Sequence, residues 1–138
     1  MHHDVNDSNR EESVPRWLVV ANVLGALASS AASVVGLVHP TFVLAGSAST
    51  PLADIYTQAY AARALPLGAA LVFVLLSRRR RPGLRPLLLV SGLAQVADAA
   101  IGVRYGTPGM MVGGTLLAVV HLGSAAWLRR ATPRPATV

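Results

Sequence analysis

Three ionisable side chains interrupt long apolar stretches of this chain: Arg63, Asp98 and His121. A charged group in hydrocarbon costs about 2.5 to 3.5 kcal/mol on insertion scales, so each of them needs a partner or a purpose. Asp98 can be held ionised by Arg63 or kept protonated by burial, and histidine exchanges its proton near neutral pH. We therefore predict that Asp98 and His121 act as acid and base on a lipophilic substrate, beside Arg63. Isomerisation, epoxide opening or cyclisation would fit such a pair.

Further polar side chains in the same stretches are predicted to bind that substrate: Tyr56, Tyr60, Gln95 and Asn22. Helical spacing places Tyr56 and Tyr60 on one stripe with Arg63, at i, i+4 and i+7. Gln95 shares a stripe with Asp98, at i and i+3. With a rise of about 1.5 Å per residue, Asp98 and Tyr60 are expected roughly 7 to 8 Å from the outer ends of their helices, Arg63 and Gln95 about 12 Å, and His121 about 16 Å. The spacing predicts one polar column, open toward the outer side.

A structural interpretation stays open beside the catalytic one. Arg63 and Asp98 could form an ion pair that only holds two helices together, with His121 hydrogen-bonded to a neighbouring helix. No Ser-His-Asp arrangement is predicted, because Ser124 lies one turn from His121 and serines in transmembrane helices usually bond to their own backbone. One His, one Asp and one Gln form an incomplete metal-ligand set. The chain has no cysteine and no phosphate-binding loop, so no metal and no cofactor are predicted.

Four apolar stretches must position these residues. The chain of 138 residues is 53% hydrophobic and 13% charged, far from the balance of soluble domains. Each stretch is long enough to cross a bilayer, which takes roughly 20 residues of helix. The predicted helices cover residues 17–37, 55–76, 84–103 and 110–128, between a polar tail at 1–16 and a basic tail at 129–138. The predicted fold is all-α, an integral membrane four-helix bundle.

The arginines predict the orientation of this bundle. Basic residues near membrane ends stay on the cytoplasmic side. They cluster before the first helix, between the second and third, and after the fourth, at Arg10, Arg16, 78–81, Arg85, Arg129, Arg130 and Arg134. We therefore expect a multi-pass protein of the cell membrane with both termini in the cytoplasm. Trp17 and Trp127 would then lie at inner ends and Tyr56, Tyr60 and Tyr105 at outer ends, as interfacial aromatic residues do.

The distribution of basic and small residues indicates which partners the protein binds. All twelve basic residues are arginines, and none forms an amphipathic basic face with interleaved aromatic residues, so nucleic acid is not a predicted partner. Gly25 and Ser29 in the first helix, and Gly114 and Ala118 in the fourth, would let neighbouring backbones approach closely in lipid. The predicted partners are a lipophilic small molecule and membrane lipid. Assembly into a homo-oligomer is an open alternative.

Short motifs in the last three helices resemble small four-helix bacterial membrane proteins of the DoxX-like and related uncharacterised families. The resemblance spans about 56–127 and rests on three motifs, Tyr60-Ala61-Ala62-Arg63 with Gly68, Ala97-Asp98-Ala99-Ala100-Ile101-Gly102 and His121-Leu122-Gly123. It implies the four-helix fold and a site that combines Arg63, Asp98 and His121. In the commoner pattern an acid follows the arginine directly, whereas Ala64 stands here. Most members have no assigned activity.

The chain is also similar in length and number of spans to the small multidrug exporters. Those proteins carry an essential glutamate in the first helix, and the first helix here has no acid. A proton-coupled exporter would therefore have to use Asp98. The functional alternatives are thus an acid–base isomerase or cyclase, a non-catalytic membrane subunit or accessory protein, and an exporter.

Overall fold

A computed structural model describes residues 14–39, 51–77 and 82–131 of the chain. Within these ranges the protein consists of four α-helices and no strand. The helices are α1 (Arg16–Val38), α2 (Pro51–Leu76), α3 (Leu84–Tyr105) and α4 (Pro108–Ala131). All four are long and apolar enough to cross a membrane. The predicted fold class, an all-α four-helix bundle, is confirmed.

The helices extend beyond the predicted ends. α2 begins at Pro51 rather than at 55, and proline is favoured at the first helical position because its missing N–H needs no partner there. α4 continues through Arg129 and Arg130 to Ala131 instead of ending at 128. The prediction marked only the apolar residues of each span, whereas the backbone hydrogen bonds continue into the polar ends. The basic tail predicted at 129–138 therefore begins as helix.

The turn between α3 and α4 is correspondingly shorter than predicted. Gly106 has a φ of 63°, a left-handed conformation that glycine adopts without a steric cost. The N–H of Thr107 donates to the carbonyl of Gly102 at 2.9 Å, which caps α3, and α4 starts at Pro108. The last turn of α3 and the first turn of α4 are thus held close together.

The distribution of apolar residues is reversed relative to a soluble protein. Large apolar side chains are exposed on every helix, for example Leu24, Ile55, Leu93 and Leu116. The interior contains leucines but is otherwise rich in small or polar residues, including Ala26, Ala61, Ala118, Asn22, Ser33 and His121. In lipid, helix association depends on close packing of small residues and on interhelical hydrogen bonds. The chain is a multi-pass membrane protein by length, composition and burial pattern.

The bundle is built from two tightly packed helix pairs, α1 with α2 and α3 with α4. A Cβ at Gly114 of α4 would lie 2.8 Å from the backbone nitrogen of Ala99 and 2.9 Å from the carbonyl oxygen of Gln95, so only glycine allows α3 to approach this closely. The contacts of α1 with α4 and of α2 with α3 are much less extensive. The space between the two pairs is therefore where cavities and polar contacts occur.

The start of α1 and the end of α4 meet at one end of the bundle, where Trp17 contacts Trp127. Their rings pack edge to face, with centroids 6.4 Å apart and an interplanar angle of 81°. Tyr56 and Met110 meet at the opposite end, where the Tyr56 hydroxyl lies 3.5 Å from the Met110 sulfur. We call these the Trp17 end and the Tyr56 end.

Candidate functional site

Arg63 of α2 and Asp98 of α3 form an ion pair. Nη2 of Arg63 lies 2.6 Å from Oδ1 and 2.8 Å from Oδ2 of Asp98, so one nitrogen donates to both carboxylate oxygens. The guanidinium carbon also lies 5.4 Å from the ring centroid of Tyr60, one turn earlier on α2, which adds a cation–π contact. The predicted pairing of Arg63 with Asp98 is thus present. Their side chains differ in burial, with 43% of Arg63 and 5% of Asp98 exposed.

A second polar network joins α1 to α4 through Asn22. Its Nδ2 donates to the carbonyl of Leu18 at 2.8 Å and to Oγ of Ser124 at 2.7 Å, while its Oδ1 lies 2.7 Å from Nδ1 of His121. Because a carbonyl can only accept, the Leu18 contact sets the orientation of the Asn22 amide. Nδ1 of His121 must therefore donate to Oδ1, and Nε2 is the nitrogen left for other contacts.

This network differs from two expectations. Ser124 accepts a hydrogen bond from another helix, although its hydroxyl was expected to bond to its own backbone. Asn22 was predicted to bind substrate, but it is fully buried and hydrogen-bonded to His121 and Ser124. Both differences arise because α1 turns Asn22 toward α4, and a buried amide takes the nearest donors and acceptors.

The two networks lie between the helix pairs rather than within them. Arg63 and Asp98 connect α2 to α3, and Asn22 connects α1 to His121 and Ser124 of α4. The predicted single polar column is therefore divided into two hydrogen-bonded groups, with no direct bond between them among the described residues. Each group links one helix pair to the other where close backbone packing is missing.

A cavity of about 450 Å³ opens between the helix pairs toward the Tyr56 end. Its walls are largely small or apolar residues of α1 and α4, such as Ala28, Ala32, Gly36, Gly113 and Leu117. Four predicted site residues line this outer cavity, namely Tyr56, Tyr60, Gln95 and Asp98. Arg63, His121 and Asn22 are not among the described residues that line it. The structure thus brings together the predicted tyrosines, amide and carboxylate, and places the predicted base elsewhere.

His121 lies instead at a smaller cavity that adjoins the outer one. This inner cavity has a volume of about 20 Å³ and shares the residues Ser29, Gln95 and Asp98 with the lining of the outer cavity. Arg63, Ser91 and His121 complete its polar lining. Asp98 and His121 therefore border one common space, although no hydrogen bond connects them among the described residues.

Sequence reasoning missed Ser91, Thr57 and Thr107 as polar residues of these cavities. Ser91 lines the inner cavity, and Thr57 and Thr107 line the outer one; all three are buried. Ser91 was detectable, because it precedes Gln95 by one helical turn and thus extends the stripe of Gln95 and Asp98. Thr57 lies in the second turn of α2 and Thr107 in the turn before α4. Polar residues are common near helix ends and give no specific signal.

No group of three or more His, Asp or Glu side chains lies close enough to hold a metal ion within residues 14–39, 51–77 and 82–131. Comparison of the chain with known protein families, with curated proteins and with solved structures found no match. The resemblance to the DoxX-like families therefore stays a prediction.

Proposed function

We propose that this membrane protein binds a lipophilic small molecule in the outer cavity. The observation that carries the proposal is the cavity itself, about 450 Å³ with mostly apolar walls and with Gln95 and Asp98 in its lining. Small-molecule sites in proteins are typically clefts of about 300 to 1,000 Å³ with apolar walls and a few polar groups. A lipophilic ligand could enter from the bilayer between the two helix pairs.

The polar lining indicates the kind of ligand. The side chain of Gln95 is mostly buried and makes no hydrogen bond to another described residue, so its amide is available to donate and to accept. The Asp98 carboxylate accepts from Arg63 but has further acceptor positions. An apolar body with one hydroxyl or carbonyl end would satisfy Gln95 and fill the remaining space. Such a molecule is the ligand class we propose.

Photolabelling with a long-chain alcohol that carries a diazirine tests this proposal. Gly113 lines the cavity, and a Cβ there meets no atom within 4 Å, so Gly113→Phe places a ring in the cavity without a backbone clash. Gly123 on the same helix has equally open surroundings but lies on a groove at the Trp17 end, which makes Gly123→Phe the matched control. We expect saturable labelling of the cavity residues in the wild type and in Gly123→Phe, and its loss in Gly113→Phe.

Labelling that is confined to lipid-facing residues and unchanged by Gly113→Phe would contradict the proposed binding site. The chain would then be better described as a non-catalytic membrane subunit or accessory protein, held together by its two polar networks. Unlike the photolabelling pattern, thermal stability should not distinguish the two variants, because both replace a helical glycine at an open position.

Acid–base conversion of the ligand is a second candidate function. It is favoured by one observation, that Asp98 and His121 border the same inner cavity while Asp98 also borders the outer one. A ligand in the outer cavity would meet Asp98 as the first proton-transfer group, with Nε2 of His121 as the base behind it. Asp98→Asn and His121→Gln should then each lower turnover by about a hundredfold while the protein stays folded. Full activity of both variants would exclude the acid–base pair.

The proposed location is the cell membrane, with both termini in the cytoplasm. The clustering of arginines at both tails and between α2 and α3 supports this orientation. The Tyr56 end and the mouth of the outer cavity would then face the outer side of the membrane. Membrane lipid is the expected surrounding for the exposed apolar side chains.

A further inference from the structure

Ser91 stands out because its hydroxyl is buried without a hydrogen-bond partner. Only 3% of this residue is exposed, and Oγ contacts no donor or acceptor among the described residues. Buried hydroxyl groups almost always have a protein or water partner, since leaving one unpaired in a low-dielectric interior is unfavourable. Ser91 belongs to the lining of the inner cavity, so that cavity is the place where a partner would lie.

The inner cavity has the size and the polar groups that a water molecule needs. Its volume of about 20 Å³ is sufficient for a single water, which requires roughly 10 to 15 Å³ and two to four polar partners. Gln95 and His121 line it together with Ser91, and neither the Gln95 amide nor Nε2 of His121 bonds to another described residue. Three polar groups from α3 and α4 thus surround one water-sized space.

We propose that the inner cavity binds one ordered water molecule that hydrogen-bonds to Ser91 Oγ, Gln95 and Nε2 of His121. Since Nδ1 of His121 donates to Asn22, Nε2 accepts a hydrogen from the water, and the water accepts from the Ser91 hydroxyl or the Gln95 amide. The water joins the Asn22 network to the residues beside Asp98. This site goes beyond the proposed ligand binding, because it needs no molecule in the outer cavity.

Thermal unfolding of two serine variants of the full chain tests the water site. If the water is bound, Ser91→Ala removes one of its partners and lowers Tm. If Oγ is unpaired in a dry cavity, the same change removes an unfavourable group and raises Tm. Ser33→Ala is the matched control, because Ser33 is equally buried but its Oγ donates to the carbonyl of Ser29 at 2.7 Å within α1. We expect Ser91→Ala to melt several degrees below the wild type.

Water-selective NMR on the full chain in detergent micelles provides the second measurement. The ring protons of His121, assigned by their loss in His121→Gln, should show a contact with a long-lived water in the wild type. Ser91→Val fills the inner cavity with methyl groups and should abolish that contact. A Tm of Ser91→Ala at or above that of the wild type, or a His121 ring without a water contact in the wild type, would overturn the proposal. If the outer cavity does not bind a ligand, the Tm of Ser91→Ala and the water contact of the His121 ring are still expected as stated. The water site and the ligand site can therefore be disproved independently.

Discussion

Asp98 is enclosed by the bundle, whereas its partner Arg63 reaches it from a more open position between α2 and α3. Only 5% of the Asp98 side chain is exposed, compared with 43% for Arg63. Asp98 therefore depends on the ion pair for its stabilisation more than Arg63 does. Asp98 has Arg63 as its only charged partner among the described residues, while the guanidinium also contacts the Tyr60 ring and can extend toward polar surroundings.

Removal of Arg63 should consequently destabilise the protein more than removal of Asp98. Arg63→Ala leaves a buried carboxylate without its partner, which costs about 3 kcal/mol or more. Asp98→Ala frees a partly exposed cation, and we expect a loss of about 1 kcal/mol, the scale of an exposed ion pair. Thermal unfolding in detergent measures both losses. The double variant should lose less than their sum, because the two residues interact directly.

Arg104→Ala serves as the control for loss of a positive charge. Arg104 is exposed and contacts the Tyr105 ring, and it has no ion pair among the described residues. Its replacement should change Tm little. Equal losses for Arg63→Ala and Arg104→Ala, or strictly additive losses at Arg63 and Asp98, would show that the ion pair does not hold α2 against α3.

Asn22 should matter more for stability than its partner Ser124. Ser124→Ala removes one acceptor of the Asn22 amide and should cost about 1 kcal/mol, typical of one buried hydrogen bond. Asn22→Ala also leaves Nδ1 of His121 and the Ser124 hydroxyl unpaired, so about 2 kcal/mol or more is expected. Thr115→Ala is the control, because its exposed hydroxyl bonds only to its own helix. If Asn22→Ala melts like Thr115→Ala, the network between α1 and α4 contributes nothing.

Two adjacent glycines of α4 should respond to alanine in opposite directions. Gly114 lies against the backbone of α3, where a Cβ would come within 2.8 Å of the Ala99 nitrogen, so Gly114→Ala should cost about 1 to 3 kcal/mol. Gly113 faces open space, and Gly113→Ala should stabilise by up to about 1 kcal/mol through helix propensity. Comparison of the two melting temperatures checks the packing of α3 on α4. Similar effects of both substitutions would mean that the helices are farther apart.

The absence of cysteine makes the orientation directly measurable with single-cysteine variants. Gly83 before α3 and Gly109 at the start of α4 both have open space around a Cβ, and they lie at opposite ends of the bundle. A membrane-impermeant maleimide added to intact cells should label Gly109→Cys at once and Gly83→Cys only after permeabilisation. The reverse pattern would invert the proposed orientation and place the mouth of the outer cavity on the cytoplasmic side.

Much of the fold could be predicted from the sequence. The four helices follow from four apolar stretches of sufficient length, and the Arg63–Asp98 pair follows from two opposite charges at similar expected depths. Four membrane crossings bring the start of α1 and the end of α4 to the same side, which places Trp17 and Trp127 at one end of the bundle. Each of these features depends on length, composition or position along a helix, which can be counted directly.

The rotation of each helix about its axis could not be predicted. Apolar residues surround each helix almost evenly, because lipid and bundle interior are both apolar, so no single face indicates what packs inward. The contact of Asn22 with His121 and Ser124 depends on that rotation, as does the division into two helix pairs. The size of the outer cavity could not be predicted for the same reason. Its walls contain small residues such as Ala28 and Gly113, and small residues are equally compatible with close helix packing.

Mass spectrometry of the compounds that co-purify with the protein tests ligand binding in the outer cavity most directly. The wild type, Gly113→Phe and Gly123→Phe are purified in parallel from the same membranes, and their organic extracts are compared after normalisation to total phospholipid. We predict a lipophilic compound with a hydroxyl or carbonyl group that is retained with the wild type and Gly123→Phe and is at least tenfold depleted in Gly113→Phe. Identical extracts from all three proteins would contradict the claim that this cavity is a ligand-binding site.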